Sequence, residues 1–116
     1  MKPGLTIIEN RTGSVLILKV GGYLDGHTAV ELEQRMNSLM QAGSHRLVID
    51  LSTLTYIASA GVGVLISLQH QAKTAGGGLQ LVNPSPSVRE IFSILGLQTI
   101  LAIHDSLDAG VKAAAL

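Results

Sequence analysis

Apolar residues recur along this chain with two different periods, and the points where one period gives way to the other divide it into elements. Leu5 to Glu9 and Val15 to Val20 are rich in β-branched residues and flank Asn10-Arg11-Thr12-Gly13, a turn-forming cluster, so an antiparallel hairpin is expected at the start. Gly21-Gly22-Tyr23-Leu24-Asp25-Gly26 interrupts the pattern. Ala29, Leu32, Met36, Leu39 and Met40 then follow at helical spacing until Gly43. Leu47-Val48-Ile49 is a continuous apolar run, as expected for a strand covered on both faces.

Ser52 to Ile57 reads as a loop. A helix is expected from about Ser59 to Thr74, closed by Gly76-Gly77-Gly78, and a strand at Leu79-Gln80-Leu81-Val82. Pro84 and Pro86 open a third helix that runs through Leu95 to a stop at Gly96, because proline is tolerated in a first helical turn. Thr99 to Ile103 predicts a short last strand, and Asp105 or Ser106 caps a terminal helix reaching Leu116. The alternation after residue 46 gives two right-handed βαβ crossovers. An α/β fold follows, with a mixed sheet in one domain spanning residues 1–116.

Composition narrows the function. The eight basic residues balance the eight acidic ones and nowhere cluster, so the electrostatic footprint required by nucleic-acid backbones is missing and no direct nucleic-acid partner is expected. The absence of cysteine removes disulfides, thiol nucleophiles and thiolate metal sites. The chain is 47% hydrophobic with a mean hydropathy of +0.41, yet polar residues interrupt every apolar run well short of the roughly 18 residues that span a bilayer. Membrane insertion is not expected. Met1-Lys2-Pro3-Gly4 leads directly into a β-like segment rather than a targeting core, and the expected location is the cytoplasm.

The junction after Asp50 carries the most specific signal, because a buried strand is followed there by a helix that begins at a serine. Ser59 lies where unpaired helix amides can donate to either a capping hydroxyl or a phosphate. On a helical wheel Gly61, Val64, Leu65, Leu68 and Ala72 form one stripe, whereas Ser59, Val62, Gly63 and Ile66 fall on the other side. The second stripe is apolar and small, which suits a docking patch; coverage of Val62 and Ile66 by the third helix is the alternative. Asp25 is placed to cap the first helix or its preceding turn. Asp50 is expected to close its strand through loop hydrogen bonds.

Enzyme chemistry lacks its residues. Ile57 stands where a nucleophile elbow needs glycine, two residues before the serine. Gly61-Val62-Gly63 begins a dinucleotide-like pattern, but Ile66 occupies the place of the third glycine and the segment lies within a helix. His27, His45, His70 and His104 have no metal-binding spacing, and no metal or cofactor is expected.

The pattern D-L-S-x-L-x-Y-I-x-S-A-G-V-G-V-L, from Asp50 to Leu65, resembles the STAS domain of bacterial anti-sigma factor antagonists. Gly22-Tyr23-Leu24-Asp25 resembles that family's turn after the second strand, and Leu79 to Leu97, with Ile94-Leu95-Gly96-Leu97, resembles its C-terminal half. The resemblance implies a four- to five-stranded mixed sheet with about four helices packed mainly on one side. It also implies a partner switch without enzymatic activity of its own: the domain binds an anti-sigma factor that is a serine/threonine kinase, thereby freeing a sigma factor, until phosphorylation at Ser59 abolishes binding. A phosphatase acting on Ser59 would reset the switch, and ATP would belong to the kinase. Asp25, Ser59, Val62, Gly63 and Ile66 are the implied partner surface. The alternative is a STAS scaffold or transporter accessory subunit that binds another protein without serine phosphorylation. Many phosphorylated members carry aspartate before the acceptor serine and a second serine after it; here those positions are Ala58 and Ala60.

Overall fold

A ten-residue strand organises the fold. In the computed structural model, which describes residues 4–116, β1 (Leu5–Thr12) pairs antiparallel along the full length of β2 (Val15–Leu24). Met1-Lys2-Pro3, read above for targeting signals, lies outside the described residues. The chain continues through α1 (Thr28–Gln41), β3 (Arg46–Asp50), β4 (Leu54–Ile57), α2 (Ser59–Thr74), β5 (Gly78–Val82), α3 (Pro86–Ile94), a 3-10 turn at Leu97–Thr99, β6 (Ala102–His104) and α4 (Leu107–Ala115).

The sheet order is β1-β2-β3-β5-β6, with β4 also pairing with β2. The lower half of β2 pairs parallel with β3 at Leu16 to Lys19, and its upper half pairs parallel with β4 at Gly22 to Leu24. The steps from β2 to β3, β3 to β5 and β5 to β6 all move in one direction across the sheet. Right-handed crossovers therefore put α1, α2 and α3 on one face. Leu47 and Ile49 face these helices in a core that includes Leu16, Leu18, Leu65, Leu68 and Phe92. Val48 points the other way, as the two-residue strand period requires, and packs with Val15, Val82 and Ala114 under α4. Gly110 permits that close approach, since a Cβ there would collide with Val82.

The observed sheet has six strands, against the four to five expected, and there are three parallel crossovers because β2-α1-β3 is one as well. The difference has three local causes. Asn10 to Thr12 remain in β1, so the hairpin loop shrinks to Gly13-Ser14, with Gly13 at φ +59°. Leu54–Ile57 is a strand rather than a loop; its two buried residues are its ends, a pattern set by the register shift at Gly22/Tyr23. The last strand starts at Ala102 because Gly96, in the left-handed region, and the bond from Thr99 Oγ1 to the Gly96 carbonyl (2.7 Å) wind residues 97–99 into a 3-10 turn. Ser106, rather than Asp105, caps α4 by accepting from the Ala109 amide (3.1 Å).

Candidate functional site

Three chain segments meet at the C-terminal end of the parallel strands. The β2/β4 pairing continues past Leu24 and Ile57 through a bond from the Ala58 amide to the Leu24 carbonyl (2.9 Å), which sets the start of α2 beside the turn at Asp25. β4 is held from its outer edge too. Ser85 Oγ donates to the Leu54 carbonyl (2.6 Å) and Ser87 Oγ to the Thr55 carbonyl (3.2 Å), so the start of α3 supplies partners for backbone groups that β2 does not reach.

Ser59 is the first residue of α2 and is exposed. The N-cap is Ala58, in extended conformation, and it offers no side-chain acceptor to the helix. Its carbonyl instead accepts from the amides of Gly61 (2.9 Å) and Val62 (3.1 Å). Of the two readings of Ser59, the plain cap is thus corrected. The residue sits one position too far along, and the positive end of the helix dipole remains open beside its hydroxyl.

Gly61 explains how α2 comes so close to the strand ends. A Cβ at this position would stand 2.7 Å from Leu24 Cγ and 3.0 Å from Ile57 Cγ1, both fully packed side chains. Gly63 has no such constraint; a Cβ there would meet nothing within 4 Å, and the residue is exposed. Its lack of a side chain leaves bare helix backbone next to Ser59. Ile66 is half-buried.

Val62 departs from the wheel reading. It is only 7% exposed and belongs to the main core, whereas Val64, assigned to the core stripe, is half-buried. The buried arc of α2 is displaced because the helix has neighbours beside it as well as beneath it. Gln69 lies two turns below Val62 on the same flank and donates to the Ile100 carbonyl (2.8 Å), so the segment after α3 covers that side. The outward stripe near the start of α2 is therefore Ser59 and Gly63, bordered by Ile66.

Asp25 is held in a reciprocal cap. Its Oδ1 accepts from the amides of His27 (2.9 Å) and Thr28 (3.0 Å), while its own amide donates to Thr28 Oγ1 (2.9 Å) and the Thr28 hydroxyl donates to the Tyr23 carbonyl (2.7 Å). This is the capping-box arrangement with threonine in the return position, and it starts the first turn of α1. Of the two readings offered for Asp25, the cap is directly visible. Being half-buried, the residue also keeps part of its surface at the same edge as Ser59. Asp50 closes its strand as expected, accepting from the Ser52 amide (3.0 Å).

Two exposed apolar features were not legible in the sequence. Tyr23 and Tyr56 pair across β2 and β4 with ring centroids 5.4 Å apart and planes inclined at 34°, and both are more than a third exposed. They were missed because β4 read as a loop, which hid the register that joins them. Ile94 (74% exposed), Leu95 and Ile100 lie at the far end of α3, where α2 has its Gln69 flank. The spacing of Ile91, Ile94 and Leu95 fits a core stripe, and only the early end of α3 turns the latter two outward.

A mixed sheet with helices on both faces, and an exposed serine at a strand-to-helix junction, define a small α/β domain. The family is specific: residues 7–110 match the STAS domain model, and the chain belongs to the STAS domain family. It is 32% identical over 109 residues, 94% of each chain, to the protein of Bordetella bronchiseptica assigned as the anti-sigma factor antagonist BtrV. A solved anti-sigma factor antagonist of Mycobacterium paratuberculosis superposes with TM-score 0.87 at 25% identity, covering 97% of this chain and 96% of that one. The Bacillus cell fate determinant SpoIIAA in its phosphorylated form shares the fold, with TM-score 0.71 and 19% identity over 92% of this chain and 97% of that one.

Proposed function

We propose that this protein is an anti-sigma factor antagonist that binds its anti-sigma factor through the start of α2, and that phosphorylation of Ser59 by that partner, acting as a serine kinase, ends the binding. The observation that carries the reading is the exposed Ser59 hydroxyl, outside any cap, at the open N-terminus of α2 and one edge from Asp25. Ser59, Gly63 and Ile66 form the docking surface with the Asp25 turn, and Val62 supports it from beneath. The protein acts by binding, as a single cytoplasmic STAS domain, while ATP and the transfer chemistry belong to the partner.

Physical chemistry supports a switch of this kind. A phosphate adds about −1.5 to −2 charges where bare helix backbone and an isoleucine edge would otherwise meet the partner. At the first helical position it lies beside unpaired amides and the positive end of the helix dipole, so it stabilises the helix rather than melting it. Ala58 strengthens this, because no neighbouring carboxylate or cap competes for those amides. The switch is then a change of surface charge on an unchanged fold.

The test is incubation of the protein with its anti-sigma factor and ATP, followed by intact-mass and peptide analysis. One phosphate on wild type and none on Ser59→Ala is expected. A stable complex without any adduct, under conditions that modify a known substrate of the kinase, would retain the binding role and reject the phosphorylation step. A phosphatase then removes the group and restores binding.

A further inference from the structure

The opposite end of the sheet carries a second concentration of polar groups that the proposed switch does not use. Strands begin there at Val15, Arg46 and Gly78, and helices end there at Gln41, Thr74 and Ala115. Residues 11–15, 41–47, 72–79 and 111–116 include Arg11, Arg46, Lys73 and Lys112 but none of the eight acidic residues. Between the β1–β2 loop, the α1–β3 loop and the α2–β5 loop lies a cavity of about 170 Å³ lined by Ser14, Gly43, His45, Arg46, Ala75, Gly76 and Gly77.

The donors at this end lack anionic partners. Arg46 Nη1 rests on two neutral oxygens, Ser14 Oγ (3.4 Å) and the Ala115 carbonyl (3.2 Å), and Arg11 donates to the Ser44 hydroxyl (2.7 Å). Among the described residues neither arginine pairs with a carboxylate. His45 Nδ1 is buried without a hydrogen-bond partner. Gly77 is pressed against the His45 backbone so closely that a Cβ would collide with its carbonyl, which fixes the wall of the cavity. The guanidinium and the hydroxyl that line this small cavity are donors of the kind that hold a tetrahedral oxyanion.

We propose that this cavity is a binding site for an oxyanion of phosphate type. Arg46 supplies the charged fork and Ser14 a hydroxyl donor. The site is independent of Ser59 and lies at the other end of α2.

Titration of the full chain with inorganic phosphate, and separately with glycerol 3-phosphate, followed by amide NMR shifts, tests it. Saturable shifts confined to the segments around Ser14, His45 and Gly77 are expected, unchanged in Ser59→Ala, weakened about tenfold or more in Arg46→Gln and partly retained in Arg46→Lys. Ser14→Ala, which leaves the guanidinium in place, is expected to weaken binding several-fold and serves if Arg46→Gln does not fold. Response to both ligands sustains the site for a free or tethered phosphate; response to inorganic phosphate alone sustains it for the free ion. Shifts that match those caused by sodium chloride at equal ionic strength, or that persist undiminished in both the Arg46→Gln and Ser14→Ala variants, would overturn it.

Discussion

The two ends of the sheet hold their charges in opposite ways. At the Ser59 end the carboxylates of Asp25, Asp50 and Asp105 are engaged, respectively, in a helix cap, a turn and an ion pair to Arg89 (3.0 Å). At the far end Arg11 and Arg46 contact only neutral oxygens. A net charge of zero thus conceals a polar molecule, with Glu31 and Asp108 in the first turns of α1 and α4 and Lys73 and Lys112 in the last turns of α2 and α4, where each complements the helix dipole. The comparison teaches that the reactive-looking residue at each end is the one left outside this pairing. Ser59 is the uncapped hydroxyl among satisfied carboxylates, and Arg46, like Arg11, is a cation without a carboxylate partner among the described residues.

The comparison can be broken most forcefully at the close approach that builds the Ser59 end. Gly61→Ala places a methyl against the packed Leu24 and Ile57, and overpacking of this kind costs about 1–3 kcal/mol, partly offset by the better helix propensity of alanine. Urea unfolding should show a lower midpoint with little change in slope. An unchanged midpoint would mean that α2 is not pressed against the strand ends.

Removing the cap is the next step down. Asp25→Ala should cost about 1 kcal/mol, measured by the same unfolding curve, because the amides of His27 and Thr28 lose their acceptor. If stability stays level while partner binding falls, Asp25 acts only through the interface. Gly63→Ala sharpens the contrast from the other side. Its methyl points into open space, so stability should rise by up to about 1 kcal/mol, while affinity for the anti-sigma factor should drop by an amount readable in titration calorimetry. A gain in both would remove Gly63 from the docking surface. The smallest effect expected is in the association rate, which should fall severalfold as salt is raised if the partner meets the acidic end with basic groups.

Much of this was readable from residue order alone, and the failures share a cause. The helices, the central strand and the parallel crossovers follow from periods of about 3.6 and 2, which are local. β4 was not visible, because Leu54 and Ile57 are buried at its ends while Thr55 and Tyr56 between them are exposed, a pattern created by pairing with a strand thirty residues earlier. Val62 misled for a related reason. A wheel assumes one buried side, whereas α2 packs on the sheet below and is bonded further along its length, at Gln69, to the chain near Ile100. Ser59 and Asp25 could each be identified as polar residues at element junctions. That the first is uncapped and the second is a cap required the position of Ala58 and the turn at Thr28.

The central claim is that the start of α2 is a docking surface governed by charge at Ser59. Its most direct test is the equilibrium affinity of the anti-sigma factor for wild type, Ser59→Ala and Ser59→Asp, each verified as folded. The account predicts that wild type and Ser59→Ala bind within about twofold of each other and that Ser59→Asp binds at least about tenfold more weakly, a difference of roughly 1.4 kcal/mol or more. Equal affinity of Ser59→Asp and Ser59→Ala would contradict it.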